Sequence, residues 1–457
     1  MRDLTPSNPT PDLRLPALVA VALPAAGFAL LLAAPDLDVR WEHHPSHFWL
    51  VVLAALTTAG LAYATGEAAD RRGDPRLLLV SLSFLSAGGF LALHALATPG
   101  VFLESSNLGF QIATPVGLMI AAAFATASAI PTTAEGIATM RRGSLLVRAL
   151  LLALMGVWAA ATVAGLDPLA EVTEVERASG PIAIPAVVGA LLFALAAIRY
   201  ASLARRRSAL LPLAVAMGFI LLAEAILATA FARNWHASWW EWHLLILAAF
   251  ALVAWAARRE WREERFASLY TEDTVRGRRE VSVLFADLAG FTTFSEGRDP
   301  REVSAMLNAY FEVAIPPIVR EHGGEIDRLI GDALMATFNS RGDQADHALR
   351  AARAAVAIRE RTEAVARERP DWPRFRIGVN TGEAMVGVLG AGGGRSYTVI
   401  GDAVNVASRL ESAAPVGGIA IGSATMRELP AARVEPLGQI SVKGKREPVD
   451  GFILTDL

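Results

Sequence analysis

The 457-residue chain has no cysteine, which removes disulfides, thiol nucleophiles and cysteine-bound metals from consideration. The formal net charge is only −3, so the overall balance calls for no nucleic-acid partner. No short repeat or low-complexity tract stands out. Charge is scarce by position too: Leu/Ala/Val stretches run to about Ala257, and frequent charge begins beyond it. With 53% apolar residues, the composition is too greasy for an ordinary soluble enzyme, and the length calls for more than one domain.

Eight apolar runs approach the ~20 residues that a helix needs to cross the hydrocarbon core. They are Leu15–Ala34, Phe48–Ala64, Leu77–Ala97, Leu108–Ile130, Leu145–Ala164, Pro181–Ile198, Leu210–Ala230 and His243–Ala257, the last being short. Residues 1–257 therefore read as a bundle of about eight transmembrane helices in a lipid bilayer. Arginines cluster in alternate loops, at 71–76, 141–148, 199–207 and 258–262, while the intervening loops are mainly acidic. The positive-inside rule then puts both termini in the cytoplasm of a multi-pass cell-membrane protein. Residues 258–279 alternate charges with Trp261, Phe266, Leu269 and Tyr270, which predicts an amphipathic connector helix ending in a linker at Gly277.

Six of the eight histidines lie in the membrane half: His43, His44, His47, His94, His236 and His243. The topology places all six at or near the outer face, among Trp41, Trp49, Trp235, Trp239, Trp240 and Trp242. One reading is an interfacial aromatic belt with polar neighbours. The other is an outer-face ligand site holding a metal, a haem or a proton.

Residues 280–457 have a different character. The run Val281–Asp287 is a strand that delivers one aspartate and breaks at Gly290. A helix opens at Asp299-Pro300, with a cap and a first-turn proline, and bends at Pro316-Pro317. The hairpin over 325–338 turns at Gly331-Asp332. An Ala/Arg-rich helix over 343–367 reads as a solvated outer face; strands follow at 374–380 and 384–389. A glycine-rich turn at 390–394 leads into 395–400, and a last helix starts near Asp402. The order β-α-β-β-α-β predicts an α+β, ferredoxin-like core. Its right-handed crossover sets the returning hairpin strand antiparallel beside the first, which brings Asp287 to Asp332. Two carboxylates at strand ends beside glycines suit hard cations that carry a nucleotide's phosphates.

From about Arg279 onward the chain resembles the class III nucleotidyl cyclases. The resemblance rests on Phe285-Ala-Asp287-Leu-Ala-Gly-Phe-Thr292, on Gly323-Gly324-Glu-Ile-Asp-Arg328-Leu-Ile-Gly331-Asp332 and on Tyr397-Thr398-Val-Ile-Gly-Asp402-Ala-Val-Asn405-Val-Ala-Ser-Arg409-Leu-Glu411, followed by Val442-Lys443-Gly444-Lys445. It implies a head-to-tail homodimer that converts a nucleoside triphosphate to a cyclic nucleotide and pyrophosphate at its interface. It implies two Mg²⁺ or Mn²⁺ ions per site on Asp287 and Asp332, with the Leu288 carbonyl assisting. Transition-state stabilisation is implied for Asn405 and Arg409, phosphate contact for Lys443, and base recognition for Arg328 and Thr398. Adenylyl cyclases of this family usually carry lysine where this chain has Arg328. Arginine only donates hydrogen bonds, which suits adenine N1 and not guanine N1. The leading expectation is a membrane-bound adenylate cyclase acting on ATP and regulated by its membrane half. The competing readings are a guanylate or relaxed-specificity cyclase, and a membrane receptor or transporter with an inactive cyclase-like binding domain.

Overall fold

The computed structural model describes residues 14–457 except 97, 99, 101–106, 131–133, 170–181, 208, 261–265, 392, 393 and 442–447. The chain divides into two compact units, Met1–Thr271 and Glu272–Leu457.

The first unit is helical: α1 (Arg14–Ala33), α2 (His44–Arg72), α3 (Pro75–Leu96), α4 (Leu108–Gln111), α5 (Ala113–Ala129), α6 (Ala134–Val163), α7 (Ala183–Arg207), α8 (Leu210–Phe231) and α9 (Ala237–Arg259). Among the described residues six of these, in α2, α3, α6, α7, α8 and α9, are long and apolar enough to cross a membrane. The first and fourth expected spans appear as the shorter apolar helices Val19–Ala33 and Ala113–Ala129. The eighth is longer than its apolar run, because the Trp-rich turn from Ala237 is helical as well.

Polar residues gather at the ends of these helices. At one end Asp74 caps α3 by accepting from the Leu77 amide at 2.9 Å, and its second oxygen accepts from the Thr271 amide at 2.7 Å. Arg76 donates to the carbonyls of Leu269 and Tyr270 at 3.0 and 2.9 Å. Arg207, from the end of α7, donates to the carbonyls of Ser268 and Tyr270 at 3.0 and 2.7 Å. Residues 266–271 form turns gripped by these three side chains, so the amphipathic helix expected there is absent from the described part of the connector. Charged donors satisfy their backbone carbonyls from outside, which removes the need for helical pairing.

The second unit opens with the short α10 (Glu272–Val275) and β1 (Arg276–Leu288). Gly277, read as a linker, lies inside β1 opposite Val386. After α11 (Phe291–Ser295) come α12 (Pro300–Pro316), β2 (Glu325–Ile330), β3 (Ala333–Phe338) and α13 (His347–Glu368). Next are β4 (Phe375–Ala391), β5 (Gly394–Ile400) and α14 (Asp402–Ala413), and the chain closes with β6 (Ile419–Gly422), α15 (Ser423–Arg427), β7 (Arg433–Ile440) and β8 (Val449–Asp456). Asp299 caps α12 through the Arg301 amide at 2.8 Å, and the double proline turns its end into a π-helical turn over Pro317–Glu321.

The sheet order is β2-β3-β1-β4-β6-β8-β7, with β5 paired to β4. Its first four strands are the expected ferredoxin-like core, and β1 pairs antiparallel with β3 as the crossover argument requires. The strands expected at 374–380 and 384–389 are one continuous β4, because Thr381, Gly382 and Glu383 keep pairing with β1. Alternation along β1 sorts the core. Leu284, Ala286 and Leu288 face α12 and α13, while Val281 and Val283 face the opposite side, where Ala407 of α14 packs. The face of α13 built from Ala348, Ala351, Ala352, Ala355 and Ile358 is core; the surplus of arginine in this helix hid that stripe.

Candidate active site

Asp287 is the penultimate residue of β1 and shares its face with Val281 and Val283, opposite α12 and α13. Asp332 sits in the β2–β3 turn, where Gly331 takes φ +64°, a conformation costly for any residue with a Cβ. The two carboxyls are close enough for the charge of Asp287 to act on Asp332. Burial and the neighbouring Asp287 charge push the Asp332 carboxyl up to about 6. Two crowded carboxylates with a strand-end carbonyl beside them form a hard, all-oxygen donor set, which fits divalent cations of the magnesium kind.

Two further charged groups border this pair, and their roles were not read from the sequence. Arg376 stands opposite Asp287 in the β1–β4 register, its Nη2 3.8 Å from Asp287 Oδ2 and its Nε 3.4 Å from Glu411 Oε1. Glu411 is buried, and Oε1 lacks a hydrogen-bond partner among the described residues. Burial, and after it the charge of Asp287, raise the Glu411 carboxyl above its usual range. The signal for Arg376 was its cross-strand position, visible only once the register is known. Glu411 closes the Tyr397–Glu411 motif, and nothing in a linear sequence shows an acid to be buried.

Helix α14 lies close against β4. A Cβ on Gly378 would stand 2.2 Å from the Glu411 amide and 2.3 Å from the Ala407 carbonyl, so only glycine permits this approach. Asn405 and Arg409 are one turn apart on the exposed face of α14, and neither bonds to any described side chain. The fold does not bring them to the aspartates through any contact within one chain.

The structure does bring together the two residues assigned to base recognition. Arg328 donates from Nη2 to the Thr398 hydroxyl, and Thr398 donates to Asp327 Oδ2 at 3.0 Å. Asp327 also accepts from Arg328 Nε at 2.7 Å and from the Val399 amide at 3.3 Å. Its side chain is 4% exposed, against 45% for Arg328. Asp327 thus fixes both neighbours, a role that sequence reasoning missed because the pairing of β5 with β4 sets it. Lys443 lies outside the described residues.

Residues 274–456 match the family described as "Adenylate and Guanylate cyclase catalytic domain". Over 180 residues the chain is 39% identical to "Adenylate cyclase 1" of Rhizobium meliloti, covering 38% of this chain and 27% of that relative. The second unit is a class III nucleotidyl cyclase catalytic domain. Among solved structures, the adenylyl cyclase CyaB from P. aeruginosa is 32% identical, covering 40% of this chain and 96% of that one, with TM-score 0.38. The guanylyl cyclase Cya2 is 35% identical, covering 39% and 93%, with TM-score 0.36. The chain spans about a quarter of the Rhizobium relative's length. Cyclases of this class generally work with two divalent metal ions and as dimers.

Proposed function

We propose that this chain is a membrane-bound adenylate cyclase, converting ATP to 3′,5′-cyclic AMP and pyrophosphate in sites shared by two catalytic domains arranged head to tail. The observation that carries the choice of ATP is the Asp327–Thr398–Arg328 network. The Thr398 hydroxyl spends its proton on Asp327, and it keeps one lone pair beyond the one that Arg328 occupies. Toward a base it is therefore an acceptor, matching the adenine N6 amino group and opposing guanine O6. Arg328 retains unused N–H groups for adenine N1, whereas guanine N1 carries a hydrogen of its own.

In the reaction the 3′-oxygen forms a bond to the α-phosphorus, the bond from that phosphorus to the β-bridging oxygen breaks, and the 3′-hydroxyl proton is released. Divalent cations on Asp287 and Asp332, with the Leu288 carbonyl, would supply a lowered pKa at the 3′-hydroxyl and charge neutralisation at the phosphates. Asn405 and Arg409 of the opposite domain would meet the charge growing on the transferring phosphoryl oxygens, and Lys443 the departing phosphates. Their exposure on α14, with side chains unengaged by any described residue, supports a role completed across a dimer. Arg376 would hold Asp287 in place from the neighbouring strand.

The arginine-rich helix ends at 71–76, 205–207 and 258–259 support a cytoplasmic placement of the catalytic domain and both termini. The test is turnover by membranes containing the full chain, with Mg²⁺ or Mn²⁺ and either ATP or GTP. Cyclic AMP should dominate. Equal rates from both nucleotides would overturn the substrate assignment, and no product from either would favour the inactive binding domain.

A further inference from the structure

The six outer histidines divide into two sets. His43 caps α2 by accepting from the Ser46 amide at 3.2 Å, His44 pairs with Glu42 at 3.2 Å, and His236 Nδ1 meets the Asn234 carbonyl at 2.9 Å. The other three come from different helices: His47 in the first turn of α2, His94 in the last turn of α3, and His243 in the second turn of α9. All three are buried, and their Nε2 atoms converge. His47 and His243 are 3.1 Å apart, His47 and His94 3.3 Å, and His94 and His243 3.4 Å.

We propose that His47, His94 and His243 form a trihistidine site for a divalent transition-metal ion of the zinc type. A tetrahedral ion held at the usual Zn–N length of ~2.0–2.1 Å separates its nitrogen ligands by ~3.3–3.4 Å, close to the triangle seen here. The outward ring nitrogens support the same reading. His243 Nδ1 lies 2.9 Å from the Trp239 carbonyl, which can only accept, so the neutral ring carries its proton there and turns a bare Nε2 to the centre. His47 Nδ1 lies 2.8 Å from the Thr98 hydroxyl, and Thr98 is itself buried. A second ring nitrogen anchored to a carbonyl or hydroxyl is the usual way a ligating imidazole is oriented. Trp239 and Trp242 pack on the rings, at centroid distances of 4.2 and 3.4 Å from His243. Three imidazoles select zinc, copper or nickel over magnesium and calcium, and leave a fourth position open. A bis-histidine haem does not fit, because its two axial histidines lie on opposite faces of the ring, whereas these three nitrogens are mutually adjacent.

The test uses the full-length chain in detergent, carrying Asp287→Ala to suppress cation binding at the catalytic domain. After stripping with a chelator it is reloaded with Zn²⁺ or Co²⁺. About one ion per chain should bind, with the visible absorption of four-coordinate cobalt. Thr98→Val, which leaves all three ligands in place, should weaken binding ~10–100-fold, the usual cost of losing an orienting partner. His94→Gly should abolish the cobalt spectrum, and added imidazole should restore it, a rescue that a misfolded chain cannot show. His43→Ala with His44→Ala should leave binding unchanged. Absence of Zn²⁺ and Co²⁺ binding would reduce the triad to three hydrogen-bonded neutral rings. Undiminished binding in His94→Gly, or a haem spectrum in the purified chain, would also overturn the proposal.

Discussion

The Asp287–Asp332 pair is costly while it stands without a cation. A carboxyl raised to about 6 keeps its proton where an unfolded aspartate, at its usual value of 3.8, would have lost it. The metal-free domain is thus favoured by this group below the unfolded value, and that contribution disappears as pH rises through about 6. Asp332→Asn should flatten this slope and raise the melting temperature of the metal-free domain near neutral pH, while cutting turnover ~10²-fold or more. Since a cation must displace the proton, the Mg²⁺ concentration for half-maximal rate should rise as pH drops from about 7 to about 5. A pH-independent Mg²⁺ requirement would contradict the shared site. Asp327 supports a second prediction. Asp327→Ala frees the Thr398 hydroxyl to donate to guanine O6, so the preference for ATP over GTP should fall roughly tenfold, the worth of one hydrogen bond. Competition between the two nucleotides, with both cyclic products measured, checks it. Asp287, Asp332, Arg328 and Thr398 stood out in the sequence because each sits in a short local motif; their roles toward cation and base are those proposed above. Asp327, Arg376 and Glu411 did not, because their roles come from register and burial.

At the scale of elements, α14 depends on its contact with β4. Gly378→Ala forces a Cβ into the backbone of Glu411 and Ala407, which should cost ~1–3 kcal/mol and lower the melting temperature of the catalytic domain by on the order of 5 °C. Activity should fall further than stability does, because the displaced helix carries Asn405 and Arg409. Thermal melts read beside rates at a temperature where the variant is folded separate the two effects. The ferredoxin-like core was legible because each strand or helix of β1 to β4 has its own period and its own turn residues. The extension β6-β8-β7 was not, since short strands at a sheet edge leave little pattern. The connector misled for another reason. Alternating charge and aromatics predicts a helix, but Arg76, Arg207 and Asp74 bind that stretch as turns, and tertiary contacts override local propensity.

At the scale of the whole molecule, the proposed head-to-tail dimer makes a quantitative prediction. Asp287→Ala and Arg409→Ala should each be nearly inactive alone. Mixed, about half the dimers pair one of each and hold one intact site of two, so activity should recover to roughly a quarter of wild type. Co-expression with two affinity tags gives the mixture for that measurement, and the doubly tagged species isolated from it should reach about half of wild type, one intact site of two. A doubly tagged dimer as inactive as its components would place each site within a single chain. The grip of Asp74, Arg76 and Arg207 on residues 268–271 bears on how such proteins can be recombined. Those residues follow the last apolar helix in sequence, yet they belong to the membrane unit by their bonds. A graft that exchanges the cyclase at residue 258 would carry a foreign strap into a receptor built for another. A graft spliced between Thr271 and Glu272 keeps strap and receptor matched, so the native seam of this chain lies beyond the strap.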